Sequence, residues 1–426
     1  MPADPPSAGP APAAYPPWVT LVRRAAVTDA PPPGTVDTVR TWLTAGALDH
    51  DDLLGLFQAF TWRMVGAGLP VDRTSLHVGT LHPQVYGYAW NWTRAQATCD
   101  EVRVDASALQ TDAYRRNPLS RVIDRGETVR ISLPAGEGTA AASPLMVELA
   151  AKGFTEYIAL PLRTGGALHN AATLATQQPG GFSADQLASL QNLLSLFALH
   201  VDRHIAQRLA GNTLNTYLGH AAGRQVLAGS IQRGAGAPIQ AVIWSSDLRG
   251  FTALSDRLDG HAMTRVLNAY FDCLAGAVLA EGGDVLKFIG DGLLCVFPFD
   301  TPRDAAPAAA KALRAGQAAL AALGHLNADD GALPDIAGWR PLRTGIGLHL
   351  GTVFFGNVGA PARLDFTVIG QAVNLASRVE GLTKALGRPL LLTAPVADLV
   401  TAPLEPLGAH PVAGLAEPIA VFAPQT

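Results

Sequence analysis

Residues 284–298 read DVLKFIGDGLLCVFP. Two apolar runs enclose the dipeptide Asp291-Gly292, and this pattern predicts a β-hairpin turned at those two residues. Before it, AVIWSSDL (241–248) predicts a strand, and residues 255–283 carry apolar side chains three and four positions apart, which predicts an amphipathic helix. The order β-α-β-β therefore opens this half of the chain.

The rest of this half continues the alternation of helices and strands. In order, the patterns predict an alanine-rich helix over about 304–323, a polar loop to about 341, strands over 343–350 and 353–359, and a helix over 371–387. A ferredoxin-like βαββαβ core with additions accounts for this order. We therefore assign residues 239–426 to one α+β domain.

The N-terminal half predicts a second α+β domain behind a leader. Residues 1–35 are rich in Pro and Ala, which predicts a flexible segment. From 36 to 208, a helical segment precedes strand-like runs such as TSLHVG, YGYAWNW and EVRVD, and a long helix capped by Ser183 closes the segment. This order resembles a GAF-type sensor domain, so we expect a GAF-like regulatory domain over 36–208. Residues 209–238 would then form a helical linker.

Composition narrows the classes of partner. Lys and Arg number 31 against 35 Asp and Glu, so no basic excess favours nucleic acid or an anionic membrane surface. No apolar stretch reaches about 18 residues, the length that a spanning helix needs. The cysteines Cys99, Cys273 and Cys295 are odd in number and lack metal-ligand spacing. We therefore expect a cytoplasmic protein that binds small molecules, with neither nucleic acid nor a membrane among its partners.

Four blocks in the C-terminal half carry a family resemblance. They are SDLRGFT (246–252), VLKFIGDGLL (285–294), GLHLGTVFFGNVG (347–359) and FTVIGQAVNLASRVE (366–380). Each block alone is a weak signal, but four in order on the expected elements make chance similarity improbable. The segment resembles the class III adenylyl and guanylyl cyclases over nearly all of residues 239–424. The resemblance implies an enzyme that converts ATP to 3′,5′-cyclic AMP and pyrophosphate.

Two carboxylates are the expected metal ligands. Asp247 ends a predicted strand and Asp291 lies at the predicted turn. Resemblance to the cyclases implies that they hold two divalent cations together, with the Leu248 carbonyl as a further ligand. Mg²⁺ or Mn²⁺ suits such oxygen ligands, and the reacting phosphates need cations and fixed donors to meet their charge. Taken singly, Asp247 could be a helix cap and Asp291 an ordinary turn residue.

The segment after Asp247 is expected to bind the triphosphate. It begins a helix, where free backbone N–H groups and the positive end of the helix dipole suit phosphate. Its residues are Leu248, Arg249, Gly250, Phe251 and Thr252. By resemblance, Arg363 matches an arginine that lies near the terminal phosphates. The chain departs from the family at Ala413, where a lysine is common, and this removes one phosphate-binding cation.

Lys287 and Thr367 are expected to select the base. Adenine and guanine present donors and acceptors in opposite order, so a site must choose between them. By resemblance, Lys287 stands where adenylyl cyclases carry lysine and guanylyl cyclases usually carry glutamate. Thr367 stands where many adenylyl cyclases carry aspartate and guanylyl cyclases often carry cysteine. Threonine there resembles the subgroup stimulated by bicarbonate, so bicarbonate or another small-molecule effector is a candidate ligand. ATP is favoured, with a guanylate cyclase as the alternative.

Asn374 and Arg378 complete the expected site. They are four residues apart and share one face of a predicted helix. The resemblance implies that Asn374 orients the ribose and that Arg378 stabilises charge on the α-phosphate in the transition state. In the family, the metal carboxylates come from one subunit and the base, ribose and transition-state residues from the other. We therefore expect a homodimer with two equivalent sites.

Two further hypotheses compete with this one. A diguanylate cyclase shares the core fold, and GGDVL (282–286) is similar to its GGDEF-type hairpin, but Val285 replaces the expected acidic residue. The blocks SDLRGFT and VNLASR also have no place in that family. The other hypothesis is a catalytically silent, cyclase-like dimeric binding module, and Ala413 is its only support. An assay of cyclic AMP formation with manganese separates it from an enzyme.

Overall fold

The computed structural model describes residues 15–26, 32–82, 85–133, 143–164, 170–329 and 341–425. The chain divides into two compact units, residues 1–212 and 213–426. This division falls inside the linker predicted over 209–238, and the domain bounds given above stay predictions. Within the described residues, no helix is both long and apolar enough to cross a membrane.

The N-terminal unit is an antiparallel sheet with helices on both faces. Its described elements are β1 (Val19–Ala26), α1 (Val36–Thr44), α2 (Leu53–Gly66), β2 (Arg73–His82), β3 (Val85–Thr93), β4 (Thr98–Val104), α3 (Asp112–Arg116), α4 (Pro118–Arg125), β5 (Val129–Ser132), α5 (Pro144–Ala151), β6 (Glu156–Leu162), β7 (Asn170–Thr176) and α6 (Ala184–Leu218). In the described part of this unit, seven strands lie in the order β1-β4-β3-β2-β7-β6-β5. The final helix, α6, continues past the division between the units.

Two hydrophobic cores flank this sheet. On one face, Trp90 and Trp92 of β3 pack with Phe60 of α2 and Phe197 of α6, and the rings of Phe60 and Phe197 stack at 4.3 Å. On the other face, β5, β6 and β7 pack against α4 and α5. Because successive residues of a strand point to opposite faces, a sheet covered on both sides requires nearly continuous apolar strands. The relation of this unit to GAF domains stays a prediction.

The flexible leader expected over 1–35 is wrong for residues 19–26, which form the edge strand β1. This strand pairs with β4, and its Arg23 guanidinium lies 2.6 Å from the Glu101 carboxylate. Glu101 is buried, so its charge needs such a partner. The composition of the leader could not reveal a partner that lies 78 residues further along the chain. The parts of the leader outside the described residues are 1–14 and 27–31.

The C-terminal unit contains the predicted ferredoxin-like core. Its described elements are α7 (His220–Leu227), β8 (Gly236–Leu248), α8 (Phe251–Ser255), α9 (Gly260–Ala280), β9 (Asp284–Ile289), β10 (Gly292–Phe299), α10 (Ala305–Ala328), β11 (Thr344–Ala360), β12 (Arg363–Ile369), α11 (Gln371–Leu386), β13 (Leu390–Thr393), α12 (Ala394–Ala397), β14 (Leu404–His410) and β15 (Ile419–Pro424). The elements β8, α9, β9, β10, α10 and β11 follow as βαββαβ, with strand order β11-β8-β10-β9. The predicted fold class is confirmed.

The two faces of this sheet are covered differently. The helices α9 and α10 pack on one face, where Tyr270 and Leu313 meet Trp244 of β8. On the other face, α11 and β12 pack through Ala376 and Val368. On this second face, α11 packs against β8 and β11. Residues of these three elements contribute to the candidate site described below.

Two predicted strands are one. The strands expected over 343–350 and 353–359 form the continuous strand β11, because its first part pairs with β8 and its last part with β12. Of the predicted polar loop before β11, residues 330–340 lie outside the described residues.

The hairpin turns one residue earlier than predicted. Ile289 pairs with Gly292, so the two turn residues are Gly290 and Asp291, and Gly292 begins β10. Gly290 has φ +64°, a left-handed conformation that glycine adopts without steric cost. The turn glycine is therefore the one before Asp291 rather than the one after it.

Candidate active site

Asp247 and Asp291 lie side by side at one end of the sheet. Gly292 pairs with Asp247 across β10 and β8, which places Asp291 next to Asp247. The Leu248 N–H and the Asp247 carboxyl group both lie close to the Asp291 carboxylate. Partial burial, followed by the charge of Asp247, raises the pKa of Asp291 above its ordinary value. The structure therefore brings the two predicted metal ligands together.

The backbone that carries Asp247 is held in place. The Thr344 hydroxyl donates to the Asp247 carbonyl at 3.0 Å and lies 2.8 Å from the hydroxyl of the buried Tyr270. Leu248 is part of the core, with a side chain 2% exposed. Both features fix the end of β8, from which the Asp247 carboxylate projects.

A divalent cation fits this group of atoms. Two neighbouring carboxylates repel each other, and a bound cation would remove that repulsion. In the described residues, no group of three or more His, Cys, Asp or Glu side chains could hold a metal. Two carboxylates with a backbone carbonyl leave coordination positions for substrate phosphates and water, which is how Mg²⁺ is commonly bound.

The segment expected to bind phosphate is only partly free to do so. The Arg249 N–H donates to the Arg343 carbonyl at 2.8 Å, so this donor is already used. Its guanidinium reaches Glu380 of α11 at 2.6 Å. Gly250 precedes α8 with φ +76°, Phe251 packs against the core, and Thr252 is exposed. Arg249 thus departs from the predicted role of phosphate ligand.

The two residues expected to read the base lie on neighbouring elements. The Lys287 ammonium on β9 forms an ion pair with Asp365 on β12. Thr367 follows two residues after Asp365 and therefore lies on the same face of β12. The ion pair brings Lys287 and Thr367 to one surface. Sequence reasoning missed Asp365. Because every second residue of a strand lies on the same face, the residue two positions before Thr367 could have been predicted to lie beside it.

Asn374 and Arg378 face away from the carboxylates of their own chain. Both are exposed, whereas Glu380 on the same helix is buried toward β11. At about 100° per residue, Arg378 lies about 200° around α11 from Glu380, and Asn374 about 240°. The Arg378 guanidinium instead approaches Gly414, where an added Cβ would lie 3.0 Å from Nη1. Arg378 therefore lies beside the loop that carries Ala413.

Arg363 is not brought to the carboxylates within one chain. It is exposed and pairs with Ala360 at the tip of the hairpin formed by β11 and β12. The residue of β11 that pairs with Asp247 is Gly345, near the opposite end of that strand. His349, by contrast, is structural: its Nδ1 lies 2.9 Å from the Thr393 hydroxyl, and burial lowers its pKa to about 4.

The N-terminal unit contains a cavity of about 510 Å³. Aromatic side chains form much of its wall, namely Trp18, Tyr86, Tyr88 and Tyr114. No Lys or Arg lines it among the described residues. His77 also lines the cavity, and burial lowers its pKa to about 4, so this side chain is neutral near pH 7. The wall is therefore suited to an aromatic ligand without negative charge.

Comparisons with known proteins find similarity in the C-terminal unit. Residues 239–401 match the family described as the adenylate and guanylate cyclase catalytic domain. An adenylate cyclase of Anabaena cylindrica is 36% identical over 174 residues, 41% of this chain and 33% of that protein. The photoactivated adenylate cyclase subunit alpha of Euglena gracilis is 28% identical over 235 residues, 54% of this chain and 22% of that protein. This chain thus spans a third or less of each of these two relatives.

One solved structure similar to this chain is that of an adenylyl cyclase from P. aeruginosa. It is 28% identical, and the alignment covers 45% of this chain and 95% of that one, with a TM-score of 0.39. The matched family span, 239–401, contains every residue predicted for the site and ends before Ala413.

Proposed function

We propose that this protein is an adenylate cyclase, because residues 239–401 match the adenylate and guanylate cyclase catalytic domain family. In the proposed reaction, the 3′-hydroxyl oxygen of ATP bonds to the α-phosphorus, the hydroxyl loses its proton, and the bond to the β-phosphate oxygen breaks. The products are 3′,5′-cyclic AMP and pyrophosphate. The neighbouring carboxylates of Asp247 and Asp291 are the observation that carries this proposal.

The residues of this chain have distinct proposed roles. Asp247, Asp291 and the Leu248 carbonyl would hold two Mg²⁺ or Mn²⁺ ions, which when bound supply positive charge to the reacting phosphates. Asn374 orients the ribose, and Arg378 donates to the α-phosphate as its charge grows. The exposed backbone around Gly250 and Thr252 and the Arg363 side chain contribute to phosphate binding. We place this activity in the cytoplasm, where ATP is available.

Formation of cyclic AMP from ATP by the purified full-length protein with Mn²⁺ is the direct test. Production above the rate of an Asp247→Ala control supports the enzyme. No production by a folded protein would favour the silent binding module. The reason would be that Ala413, beside Arg378, stands where the family commonly has a phosphate-binding lysine.

A homodimer completes the proposed site. Within one chain the carboxylates lie together, but Asn374 and Arg378 point to the opposite side of α11. The exposed apolar residues Phe288 and Ile289 of β9 and Ile369 of β12 add a surface that a second copy can bury. A two-fold dimer would let one chain supply the carboxylates and its partner supply Asn374 and Arg378.

Base preference is expected to change with three substitutions. The triple variant carries Lys287→Glu, Thr367→Cys and Asp365→Asn. Its ratio of kcat/KM for ATP to kcat/KM for GTP should fall by about 10-fold or more, because guanine presents its donors and acceptors in the opposite order to adenine. Asp365 is included because a glutamate at position 287 would otherwise face its carboxylate. Separate kinetic measurements with ATP and GTP check this.

Asp365→Asn alone is the control for the base prediction. It leaves Lys287 and Thr367 in place, so preference for ATP should persist. A wild-type protein that already prefers GTP would contradict the assignment and favour a guanylate cyclase.

We propose that the N-terminal unit regulates the catalytic unit. The helix α6 has its first part buried in the N-terminal core and ends at Leu218. The residues that follow pack on the catalytic sheet: Gly234 N–H donates to the Asn357 carbonyl at 2.9 Å, and Asn357 Nδ2 donates to the Ser230 carbonyl at 2.7 Å. The linker is therefore attached to the strand β11, which also pairs with Asp247.

The cavity of the N-terminal unit is the proposed place of the effector. Its aromatic wall and lack of described cationic side chains favour an uncharged or cationic aromatic molecule. Bicarbonate, a small anion, does not fit this lining, so stimulation by bicarbonate would have to act on the catalytic unit near Thr367.

Removal of the regulatory unit is expected to change the basal rate. A shortened chain of residues 213–426 should differ from the full-length protein in kcat by about 5-fold or more, since a coupling of this size is typical between linked sites. This chain keeps the linker contacts to Asn357. Initial rates at matched dimer concentration measure the difference. Equal kinetics for the two proteins would contradict regulation by the N-terminal unit.

A further inference from the structure

One ion pair in the C-terminal unit joins the carboxylate loop to α11. Arg249 Nη2 lies 2.6 Å from Glu380 Oε1 and donates to the Glu380 carbonyl at 3.2 Å, and it also contacts the Thr383 hydroxyl. The Arg249 side chain is 22% exposed and that of Glu380 is 10% exposed, so water screens the pair poorly. Among the described residues, Glu380 Oε1 accepts no well-aligned hydrogen bond. Its ion pair with Arg249 is thus its main stabilising contact.

Two glycines of β11 make room for this pair. A Cβ at Gly345, which pairs with Asp247, would collide with the Arg249 guanidinium and the Glu380 carboxylate. A Cβ at Gly347 would collide with the backbone of α11 at Ala376 and Glu380. The helix therefore approaches the strand closely at the level of the carboxylates.

The ion pair connects two parts of the chain that, in the proposed dimer, contact two different substrate molecules. Arg249 follows directly after Leu248 and the carboxylate of Asp247. Glu380 lies two residues after Arg378, on the opposite face of the same helix. Burial raises the pKa of Glu380 to about 7, with Arg249 acting in the opposite direction and Asp247 adding to the rise. Glu380 therefore lies within electrostatic reach of the carboxylate pair.

We propose that Arg249 and Glu380 are positioning residues that couple the two active sites of the dimer. The inference rests on the proposed function: in a two-fold dimer, the carboxylates of one chain serve one site and its Asn374 and Arg378 serve the other. The ion pair holds both parts in register within each chain. Arg249 then acts through Glu380 and does not bind phosphate itself.

Metal binding tests the pair without requiring turnover. In full-length protein with the non-reactive analogue α,β-methylene ATP, a Mn²⁺ titration followed by electron paramagnetic resonance gives the Kd for Mn²⁺. Arg249→Gln and Glu380→Gln should each raise this Kd by about 10-fold, the usual cost of losing a residue that orients metal ligands. The double variant should show no further rise, because either change breaks the same pair.

Arg388→Gln is the matched control. Arg388 lies 2.7 Å from Glu405 in an exposed ion pair of the same unit, and its loss should leave the Kd unchanged. Arg249→Lys keeps the charge but not the planar guanidinium group, and it should give an intermediate Kd if Arg249→Gln folds poorly. Unchanged Kd values in both single variants, or additive effects in the double variant, would overturn the proposal. A rise with Arg249→Gln but not with Glu380→Gln would mean that Arg249 binds phosphate directly.

Mixed dimers test the coupling itself. A chain carrying Asp291→Ala combined with a chain carrying Asn374→Ala leaves one intact site, with carboxylates from the second chain and α11 from the first. Adding Glu380→Gln to either chain should lower the rate of that site by about 10-fold. A loss from only one of the two placements would overturn the coupling. A wild-type protein that binds Mn²⁺ but forms no cyclic AMP would instead contradict the proposed function. The Mn²⁺ titration would still test whether the Arg249–Glu380 ion pair affects metal binding.

Discussion

Asp247→Ala or Asp291→Ala is expected to lower the rate of cyclic AMP formation by about 100-fold or more. Loss of one carboxylate removes a ligand from the cations that meet the phosphate charge, and this corresponds to about 3 kcal/mol or more of barrier. Because the two carboxylates lie side by side, either substitution should damage the whole cation site. Initial rates at saturating Mn²⁺ and ATP measure the effect.

Asp256→Ala is the control for this result. Asp256 is an exposed carboxylate just beyond α8 and has no part in the proposed site, so its loss should leave the rate within about two-fold of wild type. Thermal unfolding without metal separates catalysis from folding. Asp247→Ala removes a charge that raises the pKa of Asp291, so its unfolding temperature should be no lower than that of wild type. Near-normal turnover in either site variant would contradict the carboxylate assignment.

The carboxylate pair could be predicted from sequence because the resemblance to the class III cyclases implies that Asp247 and Asp291 hold cations together. A strand that ends at Asp247 and a hairpin that turns at Asp291 belong to adjacent strands of a ferredoxin-like core. The pairing of Asp247 with Gly292 then follows from the strand order. The one-residue error in the turn did not move Asp291 away from Asp247.

Long-range partners could not be predicted in the same way. Helix periodicity shows that Glu380 and Arg378 lie on opposite faces, but it does not show that Arg249, 131 residues earlier, turns toward α11. The strand β1 was missed for the same reason, because the carboxylate that pairs with Arg23 lies on β4. In both cases a charged side chain is stabilised by a partner that only the tertiary fold brings near.

Activity is expected to reappear when two inactive variants are mixed. Asp291→Ala damages the carboxylate part of a chain, and Asn374→Ala damages the ribose part on α11. Each homodimer then has two damaged sites, whereas a mixed dimer collects both defects in one site and leaves the other intact. Random exchange of equal amounts makes half of the dimers mixed, so recovery should approach about a quarter of the wild-type rate by two-fold symmetry.

Subunit exchange must be measured independently for this result to be informative. Native mass spectrometry of the two variants, one carrying an affinity tag, gives the fraction of mixed dimers. Mixing two Asp291→Ala preparations is the matched control, and it should recover nothing. Within one chain, Arg378 approaches Gly414 and lies about 200° around α11 from the buried Glu380, so a site built within one chain would require α11 to rotate. Exchange without recovery would show that each site is built within one chain, and the proposed roles of Asn374 and Arg378 would then be wrong.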